Sequence, residues 1–303
     1  MSLDQRIAFV TCERLPEIHE DDRLVADALQ RLGFQVTAAV WNDPAVDWRQ
    51  FASVVIRAAW DYHLDEARYT AWLRRCEREG VNLQNPPATV LANIDKRYLA
   101  DFADAGVAIV PIEYVDRGQR QSLRTLLERR NWTRAVVKPA VSASADGTWR
   151  TSLATAAADQ MLLDEEVMRR SLLVQPFAEE IVTLGEWSVV FFDGEYSHAV
   201  LKKPAAGDFR VQEELGGHGE PRDPSPAIVE QARSVLAHAA GPLLYARVDG
   251  IERNGQFVLM ELEINEPFLY LGSSGGAAKR FADAIVRTTA TSVARRSSAS
   301  KPG

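Results

Sequence analysis

The first hundred residues show apolar runs of strand length separated by segments with helical spacing of apolar positions. Runs at residues 6–12, 35–40 and 53–57 are short and apolar, which is typical of buried strands. Between them, apolar residues recur every three to four positions over 21–33 and 65–79, and each of these segments ends at a glycine. Strands that alternate with helices predict a parallel α/β sheet.

The pattern changes after about residue 110. A strand is predicted over 134–138, followed by a loop of small residues at 142–147, a long helix near 154–170 and a strand over 172–175. Before this region, Asn93 is predicted to cap a helix that stops at Gly106.

Two hairpin signals follow. Asp193-Gly194 separates the predicted strands 186–192 and 195–201, and Asn254-Gly255 separates 245–251 and 256–264. The sequence therefore predicts an α/β half followed by an α+β half. We expect an N-terminal domain over 1–110, a central subdomain over 111–180, a C-terminal subdomain over 181–292 and a frayed tail over 293–303.

Composition narrows the class of protein. The 303 residues are 46% hydrophobic and 25% charged, with a net charge of −7, an ordinary globular composition that disfavours nucleic acid as a partner. No apolar run reaches the roughly 20 residues of a membrane helix, and no secretory pattern opens the chain. Two cysteines cannot form a disulfide framework. We expect a soluble, cytoplasmic protein without a membrane partner.

The second hairpin carries a candidate metal site. Glu261, Glu263 and Asn265 share one face of a predicted strand, and Asp249 lies on its partner strand. Carboxylate and amide oxygens are ligands suited to Mg²⁺. Three crowded carboxylates repel one another unless a cation lies among them. An exposed acidic sheet face is the equally favoured alternative.

Lys138 is a candidate phosphate ligand. It ends a predicted strand just before the small-residue loop at 142–147, whose backbone N–H groups could cover phosphates together with Ser142 and Ser144. A solvated lysine at a strand end is the alternative. Neither GxxxxGK[ST] nor GxGxxG occurs at the places that would indicate a Walker or dinucleotide loop.

The segment 202–222 contains four glycines and several basic residues, including Lys203, Arg210 and Arg222. Long connections without secondary structure are typically functional lids or disordered segments, so we expect this one to close over phosphates. Its cationic side chains show no carboxylate partners at helical spacing.

Together these features resemble the ATP-grasp superfamily over residues 6–290. Three stretches carry the resemblance: VVKP before the small-residue loop, LLVQPFAEEIVTLGEWSV, and RVDG followed by ELEINEP. Within the superfamily, GGHGEPR resembles bacterial glutathione synthetase. The N-terminal stretches VVIRAAWDYH, LQNPP and NIDKRYLADFADAGVAIVP are more similar to the O-ureido-D-serine cyclo-ligase group of D-cycloserine biosynthesis.

The resemblance implies a fold, an activity and a set of roles. The fold is an α/β pre-ATP-grasp domain followed by two α+β subdomains that sandwich ATP. The activity is ADP-forming ligation of a carboxylate to an amine or amide through an acyl phosphate, with ATP and two Mg²⁺ ions. ATP-binding roles fall on Lys96, Lys138, Ser142, Ser144, Gln175, Pro176, Phe177 and Glu186. Catalytic roles fall on Arg247, Lys203 and Arg210, and metal-binding roles on Asp249, Glu261, Glu263 and Asn265.

The sequence departs from the usual superfamily pattern at two positions. Glu261 is present in addition to Glu263, and Glu266 stands where many relatives carry a small or neutral residue. We therefore leave open which of Glu261 and Glu263 bridges the metals, and prefer Glu263 for its spacing to Asn265.

The acid substrate is expected at the end of the third predicted strand. Arg57 lies at its carboxyl end, where α/β sheets bind ligands, and Trp60 and Asp61 follow. Arginine can grip a carboxylate with two hydrogen bonds, and Asp61 could receive an ammonium group. A surface Arg–Asp pair is the alternative.

Other functions remain open at this point. The chain could be a catalytically silent nucleotide-binding module or an ATP-grasp kinase that phosphorylates a hydroxyl. A homodimer is also left open. The histidines show no metal-ligand spacing, so His19 is expected to be a surface or packing residue.

Overall fold

The structure is a computed structural model that describes residues 5–211 and 215–299. Its first layer is a four-stranded parallel sheet in the order β2-β1-β3-β4. The strands are β1 Arg6–Thr11, β2 Gln35–Val40, β3 Ser53–Ile56 and β4 Leu83–Gln84. The helices of this part are α1 Glu20–Arg31, α2 Glu66–Arg78, α3 Pro87–Ile94 and α4 Tyr98–Asp104. The predicted parallel α/β sheet is confirmed.

The helix predicted from Asn93 to Gly106 is wrong at its beginning. Asn93 lies inside α3, and its side-chain Nδ2 donates to the carbonyl of Leu262, 3.0 Å away. The helix α3 begins at Pro87 instead, because proline is suited to the first helical turn. A separate helix, α4, carries Leu99 and Phe102 into the core.

The second layer is a four-stranded antiparallel sheet in the order β5-β8-β6-β7. Its strands are β5 Glu113–Val115, β6 Arg134–Pro139, β7 Trp149–Ser152 and β8 Leu172–Pro176. Helices α5 Leu123–Arg130 and α6 Ala156–Arg169 share one apolar core with it.

The third layer is a five-stranded antiparallel sheet in the order β11-β10-β9-β12-β13. Its strands are β9 Glu186–Phe192, β10 Glu195–Lys203, β11 His218–Pro221, β12 Tyr245–Arg253 and β13 Gln256–Glu263. Both predicted hairpins are confirmed: φ is 53° at Asp193 and at Asn254, with a positive-φ glycine next in each turn. Helices α7 Glu179–Thr183 and α8 Pro226–Val235 flank this sheet.

The last helix, α9 Ala277–Ala299, returns to the first layer. It packs against α1, and its Phe281 ring stacks on Phe192 at 4.6 Å. One apolar core therefore joins the first sheet, the third sheet and α9 across the expected domain boundaries. Seven residues of the expected frayed tail, 293–299, belong to α9, and the rest of it, 300–303, lies outside the described residues.

The segment 202–222 is more regular than expected. Lys203 still belongs to β10, and β11 pairs with it antiparallel, with Lys203 opposite His218. Arg210 also has a carboxylate partner, Asp208, 2.9 Å away, which helical spacing could not reveal because the two lie only two residues apart. Residues 212–214 lie outside the described part. No helix in the described chain is long and apolar enough to cross a membrane.

Candidate active site

A cleft of about 420 Å³ collects side chains from all three layers. One end is apolar and lies against the strand β8 and the segment that follows it, with Pro176, Phe177, Ile181 and Met260 in its walls. The middle holds lysines and carboxylates, and the other end is formed by the segment 266–270 and the start of α1.

The apolar end contains the predicted adenine residues. Gln175 is buried, with its side-chain amide 3.5 Å from the carbonyl of Val110, and Pro176 and Phe177 line the cleft. The backbone N–H of Phe177 donates to the carbonyl of Arg134 at 3.0 Å, so it is engaged within the protein. The next residue, Ala178, also lines the cleft.

Met260 reaches this end because of an irregularity that the sequence pattern did not reveal. The register between β12 and β13 shifts between Asp249 and Gly250, so Asp249 lies opposite Glu261 while Gly250 lies opposite Leu259. Met260 is the extra residue of this bulge, and both Met260 and Glu261 line the cleft. Strict alternation would have placed Met260 on the opposite face.

Two lysines line the middle of the cleft. Lys96 is buried, donates to the carbonyl of Ser142 at 3.0 Å and pairs with Glu261 at 3.1 Å. Burial lowers the pKa of Lys138, although nearby carboxylates oppose the shift. Lys138 has no hydrogen-bond or ion-pair partner among the described residues, which leaves its ammonium available to an anionic ligand.

The small-residue loop lies beside these lysines. Ser142, Ser144 and Ala145 line the cleft, and the φ angles of Ser144 and Ala145 are 50° and 56°. Left-handed non-glycine residues carry strain that often marks ligand-binding loops. The φ angles and the lining residues therefore place a strained loop at the wall of the cleft.

The predicted metal carboxylates are brought together, but the charges that balance them come from the protein. Asp249 is 2% exposed and accepts bonds from Arg247, Lys202 and Ser188, the last at 2.6 Å. Glu263 pairs with Arg247 as well. Three buried basic side chains, Lys96, Lys202 and Arg247, lie among the carboxylates and offset part of their mutual repulsion.

Lys202, the residue before Lys203 in β10, lies among the carboxylates of the site. Its Nζ lies 2.7 Å from Glu186 and 3.2 Å from Asp249, and it is buried. Neither Lys202 nor Lys203 is among the residues that line the cleft, and because side chains alternate along β10, Lys203 lies on the opposite face of the strand from Lys202. Arg210 does line the cleft. The structure therefore does not bring Lys203 to the cleft with the other two predicted catalytic residues, Arg247 and Arg210.

Burial and charge move the pKa values of these groups apart. Burial would raise the pKa of Asp249, but Arg247 and Lys202 outweigh it and hold that pKa below its ordinary range. Burial raises the pKa of Glu186, and it raises those of Glu263 and Glu266 to about 7 and about 8. A cation that arrived beside Glu263 and Glu266 would lower both pKa values.

Asn265 supplies the best test of whether the site suits magnesium. Its side chain is 4% exposed; Oδ1 accepts from the hydroxyl of Tyr69 at 2.6 Å, while the other end of the amide has no partner in the described chain. A buried amide with one unmatched end beside Glu263 fits a hard cation, because its oxygen can turn to the cleft while Tyr69 accepts from Nδ2. Within residues 5–211 and 215–299, no group of three or more aspartate, glutamate, histidine or cysteine side chains stands in a geometry that could hold a metal ion.

The expected substrate role of Arg57 is wrong. Its guanidinium is 2% exposed and pairs with Asp22 at 2.8 Å, and it also donates to the carbonyl of Pro267 at 3.0 Å. The alternative prediction, that Arg57 forms an Arg–Asp pair on the surface, is also wrong, because the Arg57–Asp22 pair is buried. Asp61 does not line the cleft either, because it accepts from the indole of Trp41 at 2.7 Å.

Trp60 does line the cleft, and His19 joins it unexpectedly. His19 caps α1 by accepting from the N–H of Asp21 at 3.2 Å, and its ring packs edge-on against Trp60 and Phe268, with centroids 5.3 and 5.6 Å away. Sequence spacing gave no signal for His19, because its neighbours in the cleft are distant in the chain. Cys12 and Cys76 are buried free thiols.

The architecture around this cleft matches that of known ATP-grasp ligases. A D-alanine–D-alanine ligase from Bacillus anthracis is similar in fold, with a TM-score of 0.69 at 14% identity over 95% of this chain and 98% of that chain. The ATP-grasp ligase PsnB, solved with a minimal precursor, has a TM-score of 0.65 at 17% identity over 94% and 99% of the two chains. The three sheets therefore have the arrangement of the ATP-grasp fold.

More specific matches narrow the family. Residues 7–85 match the family model described as D-cycloserine synthetase DcsG, N-terminal domain. The crystal structure of D-cycloserine synthetase DcsG has a TM-score of 0.84 at 28% identity, covering 94% of this chain and 99% of that one. The cycloserine biosynthesis protein DcsG of Streptomyces lavendulae is 30% identical over 293 residues, 92% of this chain and 97% of the relative. The chain belongs to the DcsG family of ATP-dependent, ADP-forming ATP-grasp ligases.

Proposed function

We propose that the protein closes the ring of D-cycloserine, with O-ureido-D-serine as the carboxylate and the nitrogen nucleophile in one molecule. The single observation that carries this proposal is the continuity of the cleft. One cleft is lined by apolar side chains, by the lysines Lys96 and Lys138, by the set Asp249, Glu263 and Asn265, and by Glu266, Phe268 and Tyr270. ATP and a small amino acid would meet at its middle.

The protein's contribution to the chemistry is to control charge. A carboxylate that attacks the γ-phosphorus of ATP brings two anions together, and Lys96 and Lys138 would reduce that repulsion. Magnesium ions, two in this proposal, would be held by Asp249, Glu263 and Asn265 and would neutralise charge on the phosphates. Glu261 remains a candidate ligand, although its pairing with Lys96 favours a role in holding that lysine.

The remaining predicted residues have roles that follow from their places. Ser142 and Ser144 would present the loop to the phosphates, and Arg210 would approach them from the opposite wall. Ala178 would offer its N–H to the adenine edge, alongside Gln175, Pro176 and Phe177. Glu186 would bind the ribose hydroxyls, with Lys202 fixing its carboxylate.

Ring formation requires two bonds to be made in order. The substrate carboxylate oxygen bonds to the γ-phosphorus and ADP leaves; the ureido nitrogen next to oxygen then attacks the acyl carbon, and phosphate leaves with that oxygen. Arg247 lies between Asp249 and Glu263 and would stabilise the charge on the tetrahedral intermediate. The carbamoyl group left on the ring nitrogen is lost by hydrolysis.

The direct test is incubation of the enzyme with ATP, Mg²⁺ and O-ureido-D-serine. ADP and phosphate should accumulate, and mass spectrometry should show D-cycloserine. D-Serine with urea is the matched control, since it lacks the tethered nitrogen. AMP and pyrophosphate, or a phosphorylated substrate without a ring, would reject the proposal.

The proposal also covers the cellular location of the protein and its oligomeric state. Dependence on ATP and magnesium is consistent with a cytoplasmic enzyme that acts on a small molecule. A homodimer stays a prediction, and sedimentation equilibrium across a range of protein concentrations would test it.

A further inference from the structure

The carboxylate side chains that line the cleft fall into two groups. Some form an ion pair with a basic side chain of the protein, and others do not. Six carboxylate side chains line the cleft. Glu186, Asp249, Glu261 and Glu263 each form an ion pair with Lys96, Lys202 or Arg247. Glu20 lies exposed at the rim. Glu266 is partly buried, and among the described residues it has no ion-pair partner.

The backbone that carries Glu266 is held firmly. The indole of Trp60 donates to the carbonyl of Glu266 at 2.9 Å, Arg57 donates to that of Pro267 at 3.0 Å, and Arg247 donates to that of Phe268 at 2.8 Å. Three successive carbonyls thus each accept a bond from a different side chain.

The far end of the same segment is held as well. His198 donates to the carbonyl of Leu269 at 2.8 Å, and the carboxylate of Asp21 accepts from the N–H groups of Leu271 and Gly272, both at 2.9 Å. A site whose backbone is fixed in this way is preorganised, so a ligand that binds Glu266 need not order it.

The surroundings of Glu266 suit an organic cation. The aromatic rings of Trp60, Phe268 and Tyr270 line the same end of the cleft, and Phe268 and Tyr270 pack edge to face at 4.7 Å. Ammonium groups are attracted both to carboxylates and to the faces of aromatic rings. An α-amino acid carries its ammonium on the carbon next to its carboxylate, and Glu266 follows directly on the carboxylate and amide set of the middle of the cleft.

We propose that Glu266 binds the α-ammonium group of the substrate and so selects α-amino acids over acids that lack the amino group. This inference rests on the proposed function, since it assumes that a small acid occupies this end of the cleft. A divalent cation on Glu266 is the competing occupant, and the experiment separates the two.

The experiment compares O-ureido-D-serine with its desamino analogue, 3-(ureidooxy)propanoate, by ADP release at saturating ATP. The wild type should prefer the amino acid. Glu266→Gln should lower kcat/KM for the amino acid about 10- to 100-fold, the range expected for loss of one charge-assisted hydrogen bond. It should leave the desamino analogue and the half-saturating Mg²⁺ concentration unchanged, so the preference disappears.

Two variants complete the design. Glu266→Asp keeps the charge and should retain much of the preference, which keeps the test decisive if the glutamine variant does not fold. Glu17→Gln removes an exposed carboxylate outside the cleft and should behave as wild type.

Each result has one meaning. An equal loss with both substrates, an unchanged preference in Glu266→Gln, or a raised Mg²⁺ requirement would overturn the role of Glu266 while leaving the proposed function in place. Absence of ADP release by the wild type with either substrate would overturn the proposed function, and this inference with it.

Discussion

Lys202 and Asp249 face each other across the middle strand of the third sheet, with Nζ 3.2 Å from Oδ2. Lys202 lies on β10 and Asp249 on β12, and Glu186 of the intervening β9 lies 2.7 Å from the same ammonium. One buried lysine therefore ties together a predicted ribose ligand and a predicted metal ligand. Because both carboxylates are buried, the lysine has a structural role as well as an electrostatic one.

Lys202→Met should destabilise the protein by about 3–5 kcal/mol, because it leaves Glu186 and Asp249 buried with less counter-charge. Lys203→Met is the matched control, because Lys203 is the next residue of the same strand and has no ion-pair partner among the described residues. Urea denaturation measures both. Equal destabilisation by the two substitutions would show that the alternation along β10 is not as described.

Glu263→Gln should reduce kcat by about 100-fold or more at saturating Mg²⁺, the scale on which loss of one group that stabilises developing charge acts. The fold should survive, because glutamine keeps the volume of the side chain and Arg247 still pairs with Asp249.

Glu261→Gln should instead raise the KM for ATP, because it leaves Lys96 without its carboxylate partner. Steady-state kinetics and circular dichroism check both, and reversed effects would make Glu261 the principal metal ligand.

Arg57→Ala should raise the KM for the acid while the KM for ATP stays near the wild-type value. Arg57 holds the carbonyl of Pro267, and a shift of about 1 Å in a substrate-positioning segment can cost about 100-fold in rate. Asp22 would lose its partner as well, so stability should fall.

The double variant Asp22→Ala/Arg57→Ala removes the unpaired charge and separates these two effects. Its stability should recover in part, whereas the high KM for the acid should remain. If stability and the KM for the acid both recovered in the double variant, Arg57→Ala would have raised that KM only by destabilising the protein.

Trypsin should cut after Arg210 more slowly when Mg²⁺ and a non-hydrolysable ATP analogue are present. Phe209, Arg210 and Val211 line the cleft, so a bound nucleotide would contact this stretch directly. Cleavage after Arg120, which is exposed and does not line the cleft, serves as the internal control. If trypsin cut after Arg210 at the same rate with and without nucleotide, this stretch would not belong to the nucleotide site.

Local sequence rules were sufficient for the hairpins and for the parallel sheet. Asp193-Gly194 and Asn254-Gly255 specify their turns through their own backbone preferences, which need no tertiary information. The Asn254-Gly255 turn also predicts that Asp249 lies on the strand paired with the acidic face of β13. The pairing of Asp249 with Glu261 confirms this. These features depend only on residues close together in the chain.

Tertiary pairings could not be predicted in this way. Arg57 was expected to bind the substrate, yet its partner Asp22 lies in a helix 35 residues away and removes it from the cleft. His19 reaches the cleft through contacts with Trp60 and Phe268, and Met260 reaches it through a bulge. Each outcome depends on which distant group satisfies a buried charge or on a local shift of register.

Activation of the substrate carboxylate as an acyl phosphate would transfer one carboxylate oxygen to the released phosphate, and this transfer can be measured. O-Ureido-D-serine labelled with ¹⁸O in both carboxylate oxygens is turned over with ATP and Mg²⁺, and the released phosphate is analysed by mass spectrometry. If the carboxylate is activated as an acyl phosphate, each phosphate released should carry one ¹⁸O atom, in step with formation of ADP. Phosphate without label would contradict it, as would label found in AMP.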